Sequence, residues 1–198
     1  MSGAACMRKV IVGNAPAVLW EDSFVEAIST LVTAHSPKIG GSYITNRAMS
    51  NNIPVTEAPN ARVFAGLIPA GMFLGPLFDV GVPASVVAFD VVSSGIYMLR
   101  IPVTNARGPY IECNSVYFNL RSSARIIGGS CPAEYPAAIK ITDDGTDALG
   151  CIKVFVNGVL RLTAPGGAGY VNTGNTIHSI NPQNYGSILS NLRITALE

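Results

Sequence analysis

The sequence predicts an all-β protein, a two-sheet antiparallel β-sandwich with at most one short helix. Short runs rich in β-branched and aromatic residues recur along the 198 residues. They alternate with clusters of Gly, Pro, Asn and Ser, which is typical of sandwich strands and the turns between them. The segment Cys151–Thr163 adds a second signal, because Asn157-Gly158 stands between two such runs.

The predicted strands share this composition and have turn residues at their ends. They are Lys9–Val12, Ala17–Glu21, Arg62–Ile68, Ser85–Val92, Ile96–Val103, Tyr110–Leu120, Ala124–Ile127, Ala137–Thr142, Cys151–Val156, Val159–Ala164 and Ile188–Leu197. The segment Phe24–Ala34 has apolar residues at helical spacing and is the one candidate helix. Its β-branched residues leave a loop and strand as the alternative.

The Asn157-Gly158 pair predicts a two-residue type I′ hairpin turn, since both central residues of that turn need positive φ. Val156 then lies opposite Val159, and Phe155 lies opposite Leu160. Both faces of this hairpin are partly apolar, which favours a strand pair covered on both sides.

The chain carries little charge. Charged residues make up 13% of it and hydrophobic residues 48%, against about 25% charged residues in an ordinary soluble domain. This predicts that much of the surface is buried against other chains, as in obligate oligomers. A membrane partner is not expected, because the longest uncharged apolar stretch, Val63–Phe78, is interrupted by Gly and Pro and is shorter than the ~20 residues of a spanning helix.

The same stretch, Val63–Phe78, is interpreted as a strand followed by an apolar loop. An apolar loop on a weakly charged protein is a candidate contact surface. The alternative is that it folds over an open end of the sandwich. The candidate interface residues are Phe64, Leu67, Met72, Phe73 and Leu74.

The net charge is +1, without a basic block, so nucleic acid is not an expected partner. Arg8 and Lys9 follow a short neutral run, which is the wrong order for a secretory signal and indicates synthesis in the cytoplasm. We expect residues 1–13 to form an N-terminal arm and residues 14–198 a single domain.

The four cysteines are widely spaced and lie far from both histidines, so a zinc site is not expected. Reduced structural thiols are expected, because synthesis in the cytoplasm is, and disulfides are the alternative. Asp143, Asp144 and Asp147 could supply oxygen ligands to calcium, but the downstream Glu of an EF-hand is missing. A solvated turn before the hairpin is the alternative. No cofactor is expected.

No catalytic constellation is visible. His35 lies in a predicted turn and His178 in a predicted strand, and there is no G-x-S-x-G motif. A glycosidase would need two paired carboxylates. The spacing of Asp79, Asp90, Glu112 and Glu134 does not pair them, so the sequence predicts a protein that is not an enzyme.

Two segments carry a resemblance to a known family. The hairpin Ile152–Leu162 is similar to the late strand pair of concanavalin A-like (laminin-G-like) jelly-roll domains of bacteriophage proteins, and Ser187–Ile194 resembles their last strand. The opening of that family resembles this chain at Asp22, Phe24, Leu31, His35, Pro37, Gly40, Gly41 and Tyr43.

The resemblance implies a jelly roll and a bacteriophage virion structural protein, a capsid-decorating or fibre component that acts through protein–protein contacts. Its expected partners are further copies of itself, as a homotrimer, and other virion proteins such as the capsid. The first alternative is a carbohydrate-binding module for host glycans. A glycan-cleaving enzyme is the second, because one fold hosts many functions.

The low charge predicts that the purified protein is not a stable monomer. Sedimentation velocity at micromolar concentration should show a trimer or a larger closed species, because exposed apolar surface is removed from water by association. A soluble monomer of 20.7 kDa would contradict this expectation.

Overall fold

The computed structural model describes most of the strands and several connections between them. The described residues are 15–23, 30–31, 36–43, 54–56, 62–63, 77–81, 85–91, 96–100, 109–122, 125–144, 151–164, 177–182 and 189–196. These residues contain no helix. The described part therefore also holds no helix of the length and apolar character needed to cross a membrane.

Fifteen strands make up the described structure. They are β1 (Val18–Asp22), β2 (Thr30–Leu31), β3 (Pro54–Thr56), β4 (Arg62–Val63), β5 (Leu77–Asp79), β6 (Ser85–Val91), β7 (Ile96–Arg100), β8 (Pro109–Cys113), β9 (Tyr117–Ser122), β10 (Arg125–Pro132), β11 (Ala137–Asp143), β12 (Ile152–Val156), β13 (Val159–Thr163), β14 (Ile177–Pro182) and β15 (Leu189–Ala196).

The strands form two antiparallel sheets, which confirms the predicted fold class. The nine-stranded sheet has the order β13-β12-β11-β6-β15-β4-β3-β2, and β1 also pairs with β15. The six-stranded sheet has the order β10-β9-β8-β7-β14-β5. The chain crosses repeatedly from one sheet to the other, for example from β10 to β11 and from β14 to β15, as it does in a jelly roll.

One hydrophobic core joins the two sheets. In β12, Ile152 and Val154 are buried while Lys153 between them is exposed, which is the period of two expected of a strand with one face inward. The nine-stranded sheet contributes Phe89 and Ile139 to the same cluster, and the six-stranded sheet contributes residues of β8 and β9. Each such side chain stabilises the fold by about 1.5–3 kcal/mol through its burial.

The predicted hairpin is confirmed in detail. Asn157 has φ 51° and Gly158 φ 79°, so both turn residues have the positive φ of a type I′ turn. Val156 pairs with Val159 and Phe155 with Leu160. The Asn157 side chain also accepts a hydrogen bond from the Ala138 amide, 2.9 Å long, which ties the turn to β11.

Several strand limits differ from the prediction. The predicted strand Tyr110–Leu120 is two strands, because Asn114 to Val116 form a turn between β8 and β9. Phe78, assigned to an apolar loop, lies in β5, where pairing with β14 outweighs the Gly and Pro residues before it. The helix alternative does not hold at Thr30–Leu31, which pair with β3.

Other predictions fall outside the described residues. The strand Lys9–Val12 and the N-terminal arm lie there. So do all five candidate interface residues, which are Phe64, Leu67, Met72, Phe73 and Leu74.

Two of the buried thiols are held apart by the sheet. Cys113 and Cys131 both lie opposite Phe118, on the strands to either side of β9. Two strand spacings put their Cα atoms about 9–10 Å apart, whereas a disulfide needs less than about 7 Å. Burial also raises the pKa of the Cys113 thiol, which keeps it protonated and unreactive.

A buried polar network anchors β1. Trp20 is fully buried and packs edge-on against Tyr43, with ring centroids 5.1 Å apart. The Trp20 indole donates to the Tyr43 hydroxyl at 3.3 Å, and that hydroxyl donates to Asp22 Oδ2 at 2.8 Å. Burial, followed by the nearby Asp22 carboxylate, raises the pKa of Tyr43, so the hydroxyl keeps the proton that it donates.

Gly40 completes this network by letting the backbone touch the indole. A Cβ on Gly40 would lie 2.3 Å from Trp20 Cε3, and its φ of 122° is in the region that favours glycine. The neighbouring Gly41 has open space and no such φ. The motif residues Asp22, Gly40 and Tyr43 are therefore packing residues.

We expect Gly40→Ala to destabilise the protein by about 2–4 kcal/mol, from overpacking together with backbone strain. In a chain of this length each kcal/mol lowers Tm by about 2–4 °C. Gly41→Ala is the matched control and should change Tm by less than about 2 °C. Equal effects of the two substitutions in thermal unfolding would contradict the assigned contact with Trp20.

Candidate functional site

The six-stranded sheet has a polar face on the side away from the core. Ile111 and Cys113 of β8 and Phe118 and Leu120 of β9 belong to the core cluster. Their neighbours in the chain point the other way, since successive side chains of a strand alternate between faces. This surface, which we call the outer face, carries Tyr110 and Glu112 of β8 and Tyr117, Asn119 and Arg121 of β9.

An ion pair lies at the centre of the outer face. Arg121 Nη1 donates to Glu112 Oε2, and the Glu112 side chain is 9% exposed against 26% for Arg121. Asn119, which pairs with Glu112 across the two strands, is also buried. A buried carboxylate is tolerated only when it is paired and hydrogen-bonded, so Glu112 depends on its partners.

Asn114 connects this ion pair to the turn that follows β8. Its Nδ2 donates to Glu112 Oε1 at 3.0 Å, which engages the second carboxylate oxygen. Its Oδ1 accepts the Val116 and Tyr117 amides at 2.9 and 2.7 Å. Its backbone carbonyl accepts the Tyr135 hydroxyl at 2.8 Å. One side chain thus fixes both the orientation of the carboxylate and the start of β9.

Tyr117 is the exposed aromatic residue at the end of this row. It is 47% exposed, and its amide is held by Asn114. It lies on the same face as Arg121, four residues away, which corresponds to about 13 Å along a strand. Tyr110 stands opposite Arg121 in the register, and burial raises the pKa of its hydroxyl. Because Tyr110, Glu112 and Asn119 are buried, a ligand would reach the row through Tyr117 and the partly exposed Arg121.

The row suits binding better than acid–base chemistry. Among the described side chains of the outer face, the second carboxylate is Asp79 in β5, which accepts the Gly81 amide. The pairing registers put Asp79 on the same face as Glu112, and three strand spacings put the backbones of β8 and β5 about 14 Å apart. A glycosidase needs its two carboxyl groups within about 5–9.5 Å.

A concavity lies where β10 approaches the β12–β13 hairpin. It has a volume of about 160 Å³, with Cys131 and Val156 among its lining residues and Glu134 and Arg161 at its walls. This volume is below the ~300–1,000 Å³ of ordinary ligand pockets. It is a less suitable site than the outer face.

The carboxylates considered in the sequence are dispersed, as their spacing indicated. Asp90 lies in β6 of the other sheet and accepts the Asn191 amide at 2.7 Å. Glu134 lies in the turn between β10 and β11 and is exposed. His178 lies in β14, and His35 is outside the described residues.

The calcium candidates are described only in part. Asp143 is buried at the end of β11 and Asp144 follows it at the surface, whereas Asp147 is outside the described residues. Within the described segments, no three His, Cys, Asp or Glu side chains are grouped so that they could hold a metal ion. Trp20 is fully buried, so its ring is not accessible for stacking on a sugar.

Sequence reasoning did not single out Asn114, Tyr117 or Arg121. The signal was present in the run Tyr117-Phe-Asn-Leu-Arg121, where polar and apolar residues alternate strictly. Such alternation marks a strand with one face in the core and one polar face. The position of the turn at Asn114 was needed to assign the polar residues to one face.

The chain resembles known proteins in structure rather than in sequence. Neither family models nor curated protein sequences match this chain. Among solved structures, it is similar to domain 4 of AbnA, a GH43 extracellular arabinanase from Geobacillus stearothermophilus, in complex with arabinotriose. The match has a TM-score of 0.52 and 12% identity, and covers 92% of this chain and 94% of that one. This likeness shows the β-sandwich fold and has no bearing on a bacteriophage origin.

The two members of the ion pair should differ in their effect on stability. Arg121→Met removes the ion-pair partner of the buried Glu112 carboxylate and should lower the free energy of unfolding by about 3–5 kcal/mol. Glu112→Gln should cost less, about 1–3 kcal/mol, because the more exposed Arg121 can be hydrated. Urea unfolding of both variants measures the difference. A larger loss for Glu112→Gln would show that the burial of Glu112 is not the controlling factor.

Proposed function

We propose that this protein is a non-catalytic carbohydrate-binding domain and that the sugar binds on its outer face. The observation that carries the proposal is the row Tyr117, Asn114, Glu112 and Arg121. It combines an exposed aromatic ring with polar side chains that are already oriented by one another. Ligand sites characteristically combine aromatic surface with a few well-placed polar groups.

Each residue has a distinct part in this proposal. The Tyr117 ring packs on the apolar face of a sugar, and its hydroxyl can remain in contact with water. Arg121 donates hydrogen bonds to sugar hydroxyl groups. Glu112 and Asn114 hold Arg121 and the Tyr117 turn in place before the ligand arrives, which reduces the entropy lost on binding.

The structural neighbour is compatible with this function. It is a domain of an arabinanase that was solved with arabinotriose, so a similar sandwich binds an oligosaccharide. The absence of catalysis is part of the proposal. It is supported by the separation of Glu112 from Asp79, the second described carboxylate of the outer face.

The virion role stays a prediction. The capsid or fibre location, the assembly with other virion proteins and the homotrimer are expectations from the sequence and its resemblance. A glycan-binding domain and a virion component are compatible with each other, since a virion protein that adheres to host glycans would be both.

We expect Tyr117→Ala to weaken oligosaccharide binding at least about tenfold, equivalent to about 1.4 kcal/mol, because the stacking surface is removed. Isothermal titration with arabino-, xylo-, galacto- and gluco-oligosaccharides measures it. The matched control is Phe155→Ala, which removes an aromatic ring on the nine-stranded sheet that packs under Lys140. The proposal fails if no oligosaccharide of the panel binds, or if both variants bind equally well.

A further inference from the structure

The concavity between β10 and the β12–β13 hairpin meets the outer face at Pro132. Pro132 lines the concavity and also pairs with Tyr117 in the register of β9 and β10. Residues paired across antiparallel strands have their side chains on the same face, so Pro132 stands beside Tyr117. We infer that the concavity is a second subsite of the same surface and holds one unit of a sugar chain that also contacts Tyr117; the inference rests on the proposed function.

The size of the concavity fits one sugar ring. Its volume is about 160 Å³, and a protein cavity of about 150 Å³ holds a single six-membered ring. One sugar unit can therefore enter, while the rest of the chain stays outside. The exposed ring of Tyr117, one strand spacing of about 4.8 Å from Pro132, offers a surface to the neighbouring unit.

A β-bulge directs Arg161 into the concavity. The next residue, Leu162, is buried in the core, so in a regular strand Arg161 would face the opposite way. Arg161 is instead an unpaired extra residue of β13, and it lines the concavity. Bulges redirect side chains in this manner. Burial raises the pKa of Cys131, which also lines the concavity, and the charge of Arg161 lowers it, as expected of a guanidinium that faces the thiol.

Glu134 complements Arg161 on the other side of the concavity. Arg161 belongs to the hairpin and Glu134 to the β10–β11 turn, and both are exposed. Among the described residues, neither of these two side chains is engaged in an ion pair. A sugar hydroxyl accepts hydrogen bonds from a guanidinium and donates them to a carboxylate, so neighbouring hydroxyl groups can engage both. Pro132 and Val159 add apolar surface for the C–H groups of the ring.

Both walls of the concavity are held in place by the protein itself. The Ala133 amide and the Tyr135 hydroxyl donate to backbone carbonyls of the β8–β9 turn, at 2.9 and 2.8 Å. These bonds attach the segment around Glu134 to the turn that positions Tyr117. On the other wall, Asn157 is hydrogen-bonded to the backbone of β11. Fixed relative positions reduce the entropy lost when one ligand engages both places.

The test uses two substitutions in the concavity, each with a control on the same hairpin. Arg161→Met removes the guanidinium, and Lys153→Met removes an exposed cation from β12, between two buried residues. Val159→Trp fills the concavity, and Leu160→Trp adds the same ring at the neighbouring position of β13, which is about equally exposed. The ligands are the trisaccharide and the monosaccharide of the sugar that binds best in the panel above. NMR titration measures Kd for both ligands, and thermal unfolding verifies that each variant is folded.

We expect the wild type to bind the trisaccharide at least about tenfold more tightly than the monosaccharide, because the longer ligand can occupy both places. Arg161→Met and Val159→Trp should each weaken trisaccharide binding at least about fivefold. Lys153→Met and Leu160→Trp should change its Kd less than about twofold. The two concavity substitutions act by different means, so each tests the inference if the other variant does not fold.

The outcomes separate this inference from the function on which it rests. If no sugar of the panel binds, the proposed function fails. If Tyr117→Ala weakens binding while Arg161→Met and Val159→Trp do not, the proposed function stands and the second subsite is wrong. Losses in the concavity variants without a loss in Tyr117→Ala would overturn a surface shared with Tyr117. Equal Kd values for the two ligands, or equal losses in the variants and their controls, would also overturn the inference.

Discussion

The buried carboxylate of Glu112 constrains the part of the molecule that we propose to be functional. A carboxylate removed from water must be compensated, and both of its oxygens are engaged, one by Arg121 and the other by Asn114. The side-chain positions of Arg121 and Asn114 are therefore constrained. Asn114 in turn fixes the turn that begins β9. The position of Tyr117 therefore follows from a requirement of electrostatics, whereas the opposite face of the same strands serves the hydrophobic core.

The motif that resembled bacteriophage proteins has a structural explanation. Asp22 and Tyr43 form a hydrogen-bonded chain with the Trp20 indole, and Gly40 allows the backbone to reach the ring. These residues hold β1 against the segment around Gly40, through contacts that any sandwich with the same packing requirement could use. Such a motif indicates a fold, and it does not indicate a function.

The fold could be predicted from the sequence where local rules act alone. The type I′ turn at Asn157-Gly158 follows from the φ preference of two residues, and its register followed correctly. The sequence did not predict β5, because a three-residue strand after Gly and Pro depends on its pairing with β14.

The outer face was not predicted for a related reason. Its residues come from β8, β9 and the turn between them, and the turn at Asn114 is held by a side-chain hydrogen bond that composition does not reveal.

The neighbouring strands β13 and β10 are edge strands, one in each sheet. In a chain with few charges such edges favour association, because their backbone groups can pair with another chain. Both edges are irregular. In β13, Arg161 is an extra residue between the pairs Val154–Leu162 and Phe155–Leu160. In β10, the pairing with β9 is interrupted between Ile126 and Ser130. Bulges of this kind twist an edge and disrupt its hydrogen-bonding pattern. Association through continuous strand pairing is thus disfavoured at these two edges, so any oligomer formed there would depend on side-chain contacts, which are more selective than an open row of backbone amides.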